Sequence, residues 1–350
     1  MTDLSDRSRR NFLTQCLTGA VALGAGSALR APAQQDSLAA KSRVDSSVVS
    51  RVVVARDPLL RGTGTAVDPR RIEALVDRAM QALFGGSHHA AVAPENANTA
   101  WRRIAGPDDT VSMKVNTLGG RGISTNVELV AAICGCLQQA GVKPSNIVVW
   151  DRNSEEMERA GFRIAIGGDR VQCYGTDRVG YEDELSAWGS VGSRLSKILT
   201  RSSSVLINLP VLKDHDGAGV TIALKNLYGA IHNPNKYHPN GCDPYVADLN
   251  MLPEIRSRLK LVICDATTAM YEGGPGFKPE HSWKPNSLLV SQDLVALDYT
   301  GWQMIERKRA EMGLKTLEAE KRAPHYIATA ADGEHRLGRC DPSRIAVVEV

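Results

Sequence analysis

The sequence predicts an α/β fold in which a mostly parallel sheet carries helices on both faces. Short, nearly continuous apolar runs alternate with helical patterns, which is typical of strands buried on both sides. Residues 110–151 show a strand–helix–strand pattern, which predicts a parallel pair with a right-handed crossover. Hydrophobic residues make up 43% of the 350 residues, enough for a sizeable core. We therefore predict that residues 51–350 form a single α/β domain.

The individual elements follow from hydrophobic spacing and from signals at their ends. Helix 71–84 is predicted because apolar residues recur three and four positions apart. Helix 125–140 starts at a predicted capping box of Thr125 and Glu128 and stops at Gly141. The remaining predicted helices are residues 219–229, 246–258 and 294–313. The predicted strands are residues 51–55, 110–116, 146–151, 204–209, 259–264 and 287–291.

The N-terminus has the features of a twin-arginine signal peptide. Arg9 and Arg10 precede a weakly apolar run, and residues 31–33, Ala-Pro-Ala, offer a small-residue cleavage site. The apolar run has roughly 14 residues, whereas a membrane-spanning helix needs about 20. We predict that residues 1–33 are the signal and residues 34–50 a linker. The twin-arginine export machinery would then deliver a folded protein, without a stable membrane span, to the periplasm or the exterior.

Charge and cysteine pattern argue against several classes of function. Without the four basic and two acidic residues of the predicted signal, the chain has 38 basic and 37 acidic residues. This balance gives no electrostatic signature of nucleic-acid or anionic-membrane binding. Six cysteines follow the signal, but none forms a C-x-x-C pair, so neither a ferredoxin-type iron–sulfur cluster nor a zinc ribbon is supported. Their spacing assigns no disulfide pairing.

Polar side chains follow four of the predicted strands at their carboxyl ends. In α/β sheets, ligands bind at this edge, where helix N-termini also point. We therefore expect these side chains to converge on one site. In chain order they are Lys114, Asn116, Asp151, Lys213, His215, Asp265 and Glu272, and a glycine-rich turn with Gly274 follows the last of them.

Lys225 and Asn226 interrupt an otherwise apolar helical segment. A lysine in such a position is costly unless it faces solvent, pairs with an acid or binds an anion. Asp298 also lies in an apolar context, and a buried carboxylate needs a partner, for which Lys213 and Lys225 are candidates. A structural salt bridge and a catalytic pair are equally compatible with this pattern.

Two loops are further candidates for ligand binding. His232, His238 and Cys242 follow an H-x5-H-x3-C spacing that would suit a metal ion, or they form a polar loop with exposed histidines. The turn at residues 119–122, Gly-Gly-Arg-Gly, could hold a phosphate or carboxylate with backbone amides. It does not match the dinucleotide fingerprint, and the sequence contains no P-loop, serine-hydrolase or zincin motif.

The chain resembles a family known only as domain of unknown function 362. This resemblance implies an α/β fold and no known reaction. Many members append ferredoxin-like cysteine motifs, which this sequence lacks. A second likeness, to lactate-racemase-like nickel enzymes, rests on a Lys/Pro–His element before a helix with Gly and Lys, and it supports a metal or carboxylate site. The stretches that carry the family resemblance are residues 113–116, 209–215, 223–229, Asp265 with 272–276, and 293–298.

These observations predict an enzyme that acts on a small anionic substrate, with or without a metal ion. His215 would transfer protons because its ordinary pKa lies near neutrality. The predicted catalytic residues are His215, Lys213 and Lys225, and the substrate-binding residues are Lys114, Asn116, Asn226 and Gly274. The predicted metal ligands are Asp265, Glu272 and His238. A non-catalytic periplasmic protein that binds an anion or metal, and a structural member of an envelope complex, are the alternatives.

Overall fold

The computed structural model describes residues 49–85 and 97–350. The predicted signal peptide and all but the last residues of the predicted linker lie outside these ranges. No helix within them is long and apolar enough to cross a membrane.

A mixed sheet forms the centre of the fold. Its strands are β1 (Ser50–Arg56), β2 (Val111–Lys114), β3 (Ile147–Trp150), β4 (Gln172–Cys173), β7 (Val205–Asn208), β8 (Val211–His215), β9 (Gly219–Thr221), β10 (Leu259–Met270), β11 (Ser282–Trp283), β12 (Ser287–Ser291) and β13 (Ile345–Glu349). A separate hairpin consists of β5 (Ser186–Trp188) and β6 (Val191–Ser193).

The strand order in the central sheet is β13-β1-β12-β10-β7-β2-β3-β4. Neighbours from β10 to β4 are all parallel, as are β13 and β1, whereas β12 runs antiparallel to both β1 and β10. β8 pairs in parallel with β10 and forms an antiparallel hairpin with β9. The predicted mostly parallel α/β sheet is therefore confirmed.

Helices cover both faces of this sheet. They are α1 (Pro69–Phe84), α2 (Ala97–Arg102), α3 (Val127–Gln139), α4 (Ser154–Ala160), α5 (Lys197–Arg201), α6 (Ala223–Asn226), α7 (Tyr245–Met251), α8 (Pro253–Arg256), α9 (Leu294–Glu311) and α10 (Tyr326–Ala331). One core lies against α1 to α4 and the other against α5 to α10. Because side chains alternate along a strand, Ile147 and Val149 enter the first core, while Val148 and Trp150 enter the second.

The first helix shows how the sequence determines a local element. The Asp68 carboxylate accepts hydrogen bonds from the amides of Arg70 and Arg71, and Pro69 occupies the first turn. The predicted apolar positions, spaced three and four residues apart, are those that the helix buries.

Two predicted helix starts are wrong, and in both cases a contact distant in sequence explains the difference. Asn126, not Thr125, caps α3, because the Thr125 hydroxyl donates to the Leu209 carbonyl. Residues 219–221 form β9, and α6 begins only at Ala223. Oδ1 of Asp298 accepts a hydrogen bond of 2.7 Å from the Ala223 amide and thereby helps to fix that start. The predicted pairing of Asp298 with a lysine is therefore wrong.

Two further boundaries differ from prediction. The predicted helix 246–258 is divided into α7 and α8 before Pro253, where a continuous helix would require an amide hydrogen that proline lacks. Strand β10 does not end at Asp265 but continues to Met270, because β8, β11 and β12 pair with its second half. Asp265 consequently lies within a strand and not at its end.

Candidate functional site

A pocket of about 390 Å³ lies at the carboxyl ends of β2 and β3, where parallel α/β sheets bind ligands. Lys114 at the end of β2 is in register with Trp150 of β3 and Asn208 of β7, so the residues that follow these strands meet at one edge. Seven of the ten predicted site residues line the pocket: Lys114, Asn116, Lys213, His215, Lys225, Asn226 and His238.

Lys114 and Asp151 form a buried ion pair in the pocket wall. Nζ of Lys114 lies 2.7 Å from Oδ1 of Asp151 and donates a hydrogen bond of 2.6 Å to the Val115 carbonyl. Asp151 also accepts hydrogen bonds of 2.8 Å from the amide and the hydroxyl of Thr117. Burial lowers the pKa of Lys114, and the Asp151 carboxylate opposes this shift. The charge of Lys114 is therefore balanced within the protein.

Gly229 allows the chain to pass beside this ion pair. A Cβ atom at position 229 would lie 2.5 Å from Cε of Lys114, 2.6 Å from its Nζ and 3.0 Å from Oδ1 of Asp151. Contacts this short force neighbouring atoms to move, so a larger residue would displace the pair.

A directional chain of side-chain amides connects the ends of three strands. Nζ of Lys213 donates to Oδ1 of Asn116 at 2.9 Å, and Nδ2 of Asn116 donates to Oδ1 of Asn226 at 3.0 Å. Nδ2 of Asn226 donates to Oδ1 of Asn208 at 2.7 Å, and Nδ2 of Asn208 donates to the Ala223 carbonyl at 2.8 Å. Each amide is used at both its oxygen and its nitrogen, so the network presents a carbonyl oxygen, and not an NH₂ group, to Lys213.

Lys213 is a buried cation that takes part in no ion pair in the described ranges. Its side chain is 0% exposed, and Nζ donates to Asn116 and, at 3.2 Å, to the Pro275 carbonyl. Burial lowers its pKa to about 8, although Asp151 and Asp214 oppose the shift. Two acceptors use two N–H groups, so the third position on the nitrogen holds a proton in the ammonium form and a lone pair in the amine.

Lys225 is a second buried cation for which the described part of the chain supplies no carboxylate partner. It is 5% exposed, and Nζ lies 3.1 Å from Nε2 of His238 and 4.4 Å from the centre of the Tyr228 ring. Nδ1 of His238 lies 3.1 Å from the Pro234 carbonyl, so Nδ1 carries the ring proton and Nε2 accepts from Lys225. Burial lowers the pKa of Lys225, and Cys242 opposes the shift. The alternative of a solvated lysine is thus wrong.

His215 presents a neutral hydrogen-bond donor. Its Nδ1 accepts a hydrogen bond of 3.1 Å from the Gly217 amide, so the neutral ring carries its proton on Nε2. The ring stacks on His238, with the ring centres 5.7 Å apart. Burial, together with the nearby charges of Lys225 and Lys213, lowers the pKa of His215 to about 3. The expectation of proton transfer by His215 assumed an ordinary pKa near 6.5, and the buried environment removes that basis.

Counted at their ordinary charges, the ionisable side chains of the pocket wall have an excess of two positive charges. Lys114 and Asp151 balance one another, and Glu156 balances Arg152 in charge. The excess therefore corresponds to the buried ammonium groups of Lys213 and Lys225. Such a composition attracts anions. The charged residues of the wall are Lys114, Arg152, Lys213, Lys225, Asp151 and Glu156.

The three predicted metal ligands do not share a site. His238 lines the pocket, whereas Asp265 and Glu272 do not. The Asp265 carboxylate accepts hydrogen bonds of 2.6 Å from the amide of Asn126 and 2.8 Å from that of Thr267. Asp265 therefore holds the start of α3 against β10 and does not line the pocket.

Glu272 belongs to an acidic cluster outside the pocket. Carboxylate oxygens of Asp214, Asp216 and Glu272 lie within 4.8 Å of one another, and no other group of three or more His, Cys, Asp or Glu ligands occurs in residues 49–85 and 97–350. The Arg322 guanidinium lies 3.6 Å from Asp214, 3.3 Å from Asp216 and 2.9 Å from Glu272. Arg322 therefore supplies the positive charge that a metal ion would bring.

Gly274 does not line the pocket but lies next to Pro275, which does. Its amide donates a hydrogen bond of 2.9 Å to Oδ1 of Asp214, and the next residue, Pro275, provides the carbonyl that Lys213 binds. The glycines of turn 119–122 do not line the pocket either, although Leu118 just before them does.

Sequence reasoning missed three residues that shape the site. Tyr228 contacts Lys225 from three positions further along a helical segment, a spacing that brings side chains together and could have indicated the contact. Gly229 and Thr117 act on the Lys114–Asp151 pair across strand ends, and no local signal identifies them.

The fold and the site define an α/β protein with a cationic pocket at the carboxyl edge of its sheet. The sequence model of a family described as "Domain of unknown function (DUF362)" matches residues 111–303, more than half of the chain. The chain belongs to this family, as the sequence resemblance predicted. The matched range contains every residue that lines the pocket.

Two solved structures show a distant likeness. Lactate racemase apoprotein from Thermoanaerobacterium thermosaccharolyticum has 11% identity and a TM-score of 0.41, with 74% of this chain and 57% of that chain covered. A Thermotoga maritima protein, a structural genomics target, has 9% identity and a TM-score of 0.35, with 71% and 59% covered. The chain thus spans less than two thirds of either protein. A search of curated proteins found no match.

Proposed function

We propose that this protein is an exported enzyme that acts on a small anionic substrate in the pocket, with Lys213 as the proton-transfer group. The carrying observation is that two buried lysines, Lys213 and Lys225, form no ion pair within the described ranges. A buried cation is costly unless an opposite charge accompanies it. The anionic groups of a substrate would supply that charge.

The surroundings of Lys213 support its proposed role. Its pKa of about 8 leaves the ammonium predominant and the amine accessible near neutral pH, as proton transfer requires. Hydrogen bonds to Asn116 and Pro275 hold Nζ in place, so the remaining position either donates a proton or accepts one. His215, with Nε2–H as a fixed donor, would orient the substrate.

The proposed location is the periplasm or the exterior, and the support for it is the twin-arginine motif with its apolar run and cleavage site. A metal ion is not part of the proposal. His238 accepts from Lys225, and Arg322 occupies the acidic cluster, so neither offers a free set of ligands.

Proton transfer can be tested without knowledge of the product. The purified protein is incubated in D₂O with glycolate, succinate, 2-oxoglutarate and glycerol 3-phosphate, and deuterium incorporation at carbon is followed by NMR. We expect incorporation into at least one compound, and its loss in Lys213→Met. Lys143→Met, which changes an exposed lysine away from the pocket, is the matched control.

The alternatives predict other results. A compound that binds the parent and not Lys213→Met, without deuterium incorporation, would favour a non-catalytic binding protein. If no compound binds or exchanges, the proposed enzyme is wrong, and a structural role in an envelope complex becomes the better hypothesis.

A further inference from the structure

We infer that the ligand of this pocket is a small dicarboxylate, whose two negative charges balance the ammonium groups of Lys213 and Lys225. The inference rests on the proposed function and specifies which class of anion the pocket binds.

The charge of the wall determines how many negative charges the ligand needs. After the Lys114–Asp151 pair and the opposite charges of Arg152 and Glu156, two positive charges remain. A monoanion would leave one buried ammonium without a counterion, which is the costly state that a second carboxylate relieves.

The two ammonium groups belong to separate elements and have separate neutral partners. Lys213 lies on β8 and binds Asn116 and the Pro275 carbonyl, whereas Lys225 lies on α6 and binds His238. Each retains donor capacity, because an ammonium group has three N–H donors. Two anchored donors on different elements suit a ligand with two charged ends.

A phosphate group fits these donors less well. Phosphate sites commonly use free backbone amides at a helix N-terminus or a glycine-rich turn. Here Asp298 already accepts from the Ala223 and Leu224 amides at the start of α6, at 2.7 and 3.0 Å. The Gly217 amide donates to His215, and the glycines of turn 119–122 do not line the pocket.

Isothermal titration calorimetry of the purified chain with succinate, butyrate and inorganic phosphate tests the inference. Succinate and butyrate have the same carbon number and differ by one carboxylate. We expect succinate to bind at least about tenfold more tightly than butyrate, because a charge-assisted contact has about that effect. Lys213→Met and Lys225→Met should each reduce succinate affinity to near that of butyrate, and Lys143→Met should leave it unchanged.

The outcomes separate this inference from the proposed function. Equal affinity for succinate and butyrate, abolished by Lys213→Met, would overturn the dicarboxylate and retain an anion site. Preference for phosphate over succinate would also overturn it. If no anion binds the parent, both this inference and the proposed anionic substrate are wrong. Circular dichroism of each variant establishes that it is folded before titration.

Discussion

Replacing Lys213 with methionine removes a buried charge and should relieve a cost to folding at neutral pH. Burial lowers the pKa of Lys213 from 10.5 to about 8. Since a pKa change of one corresponds to about 1.4 kcal/mol, the charge costs the folded state about 3 kcal/mol at pH 7. Between pH 8 and 10.5 the unfolded chain binds more protons than the folded protein, so the stability of the parent rises with pH. The cost therefore decreases to about 2 kcal/mol at pH 9.

Urea unfolding of the parent and of Lys213→Met, at pH 7 and pH 9 without added anions, measures this effect. Methionine leaves the Asn116 and Pro275 oxygens without their donor, which offsets the gain by about 1 kcal/mol each. This loss is independent of pH, so the free energy of unfolding of the variant relative to the parent should be about 1 kcal/mol higher at pH 7 than at pH 9. Lys143→Met should show no such change. A relative stability of Lys213→Met that is constant, or that increases at pH 9, would refute the reasoning.

Two other perturbations test the surroundings of the site and a distant ion pair. Gly229→Ala should destabilise the protein by about 1–3 kcal/mol and weaken anion binding, because Cβ would displace the buried ion pair. The control is Gly135→Ala, which adds a Cβ in open space within α3 and should be neutral or stabilising. Thermal unfolding measures both effects. Burial disfavours the charged form of His335, but the carboxylates of Asp332 and Asp248, each 2.9 Å away, outweigh it and raise the pKa of His335. The contribution of charged His335 to the stability of the folded protein is present in full below the ordinary pKa of 6.5. It is lost as the pH rises through the pKa of His335 in the folded state. His335→Gln should therefore cost about 1–2 kcal/mol at pH 5.5 and progressively less at higher pH in denaturant titrations, whereas a pH-independent cost would contradict the charged state.

The sequence was sufficient to predict seven of the residues that line the pocket, because parallel strands leave their carboxyl ends at one edge. Lys114 and Asn116 follow β2, Lys213 and His215 lie on β8, and Lys225 follows after one hairpin. This prediction depends only on strand direction, which apolar runs and crossover length determine.

The prediction for Asp265 failed because strand length is not a local property. An aspartate after an apolar run resembles a strand end, but strands on both sides of β10 continue to pair beyond it. The buried carboxylate is instead satisfied by the amides of Asn126 and Thr267. Asp298 illustrates the same limit, since its partners at the start of α6 are more than 70 residues away. Capping between distant elements leaves no spacing signal in the sequence.

Side-chain alternation along β8 explains why the acid next to Lys213 in the sequence does not serve as its counterion in the pocket. Successive residues of a strand face opposite sides, so Lys213 and His215 line the pocket while Asp214 points away from it. Burial raises the pKa of Asp214 to about 7, and its carboxylate contacts Gly274 and Arg322. The acid adjacent in sequence to Lys213 is therefore only partly ionised near neutral pH and is engaged elsewhere. Asp151 is likewise held by Lys114, which supports our proposal that an anionic ligand supplies the counterion of Lys213.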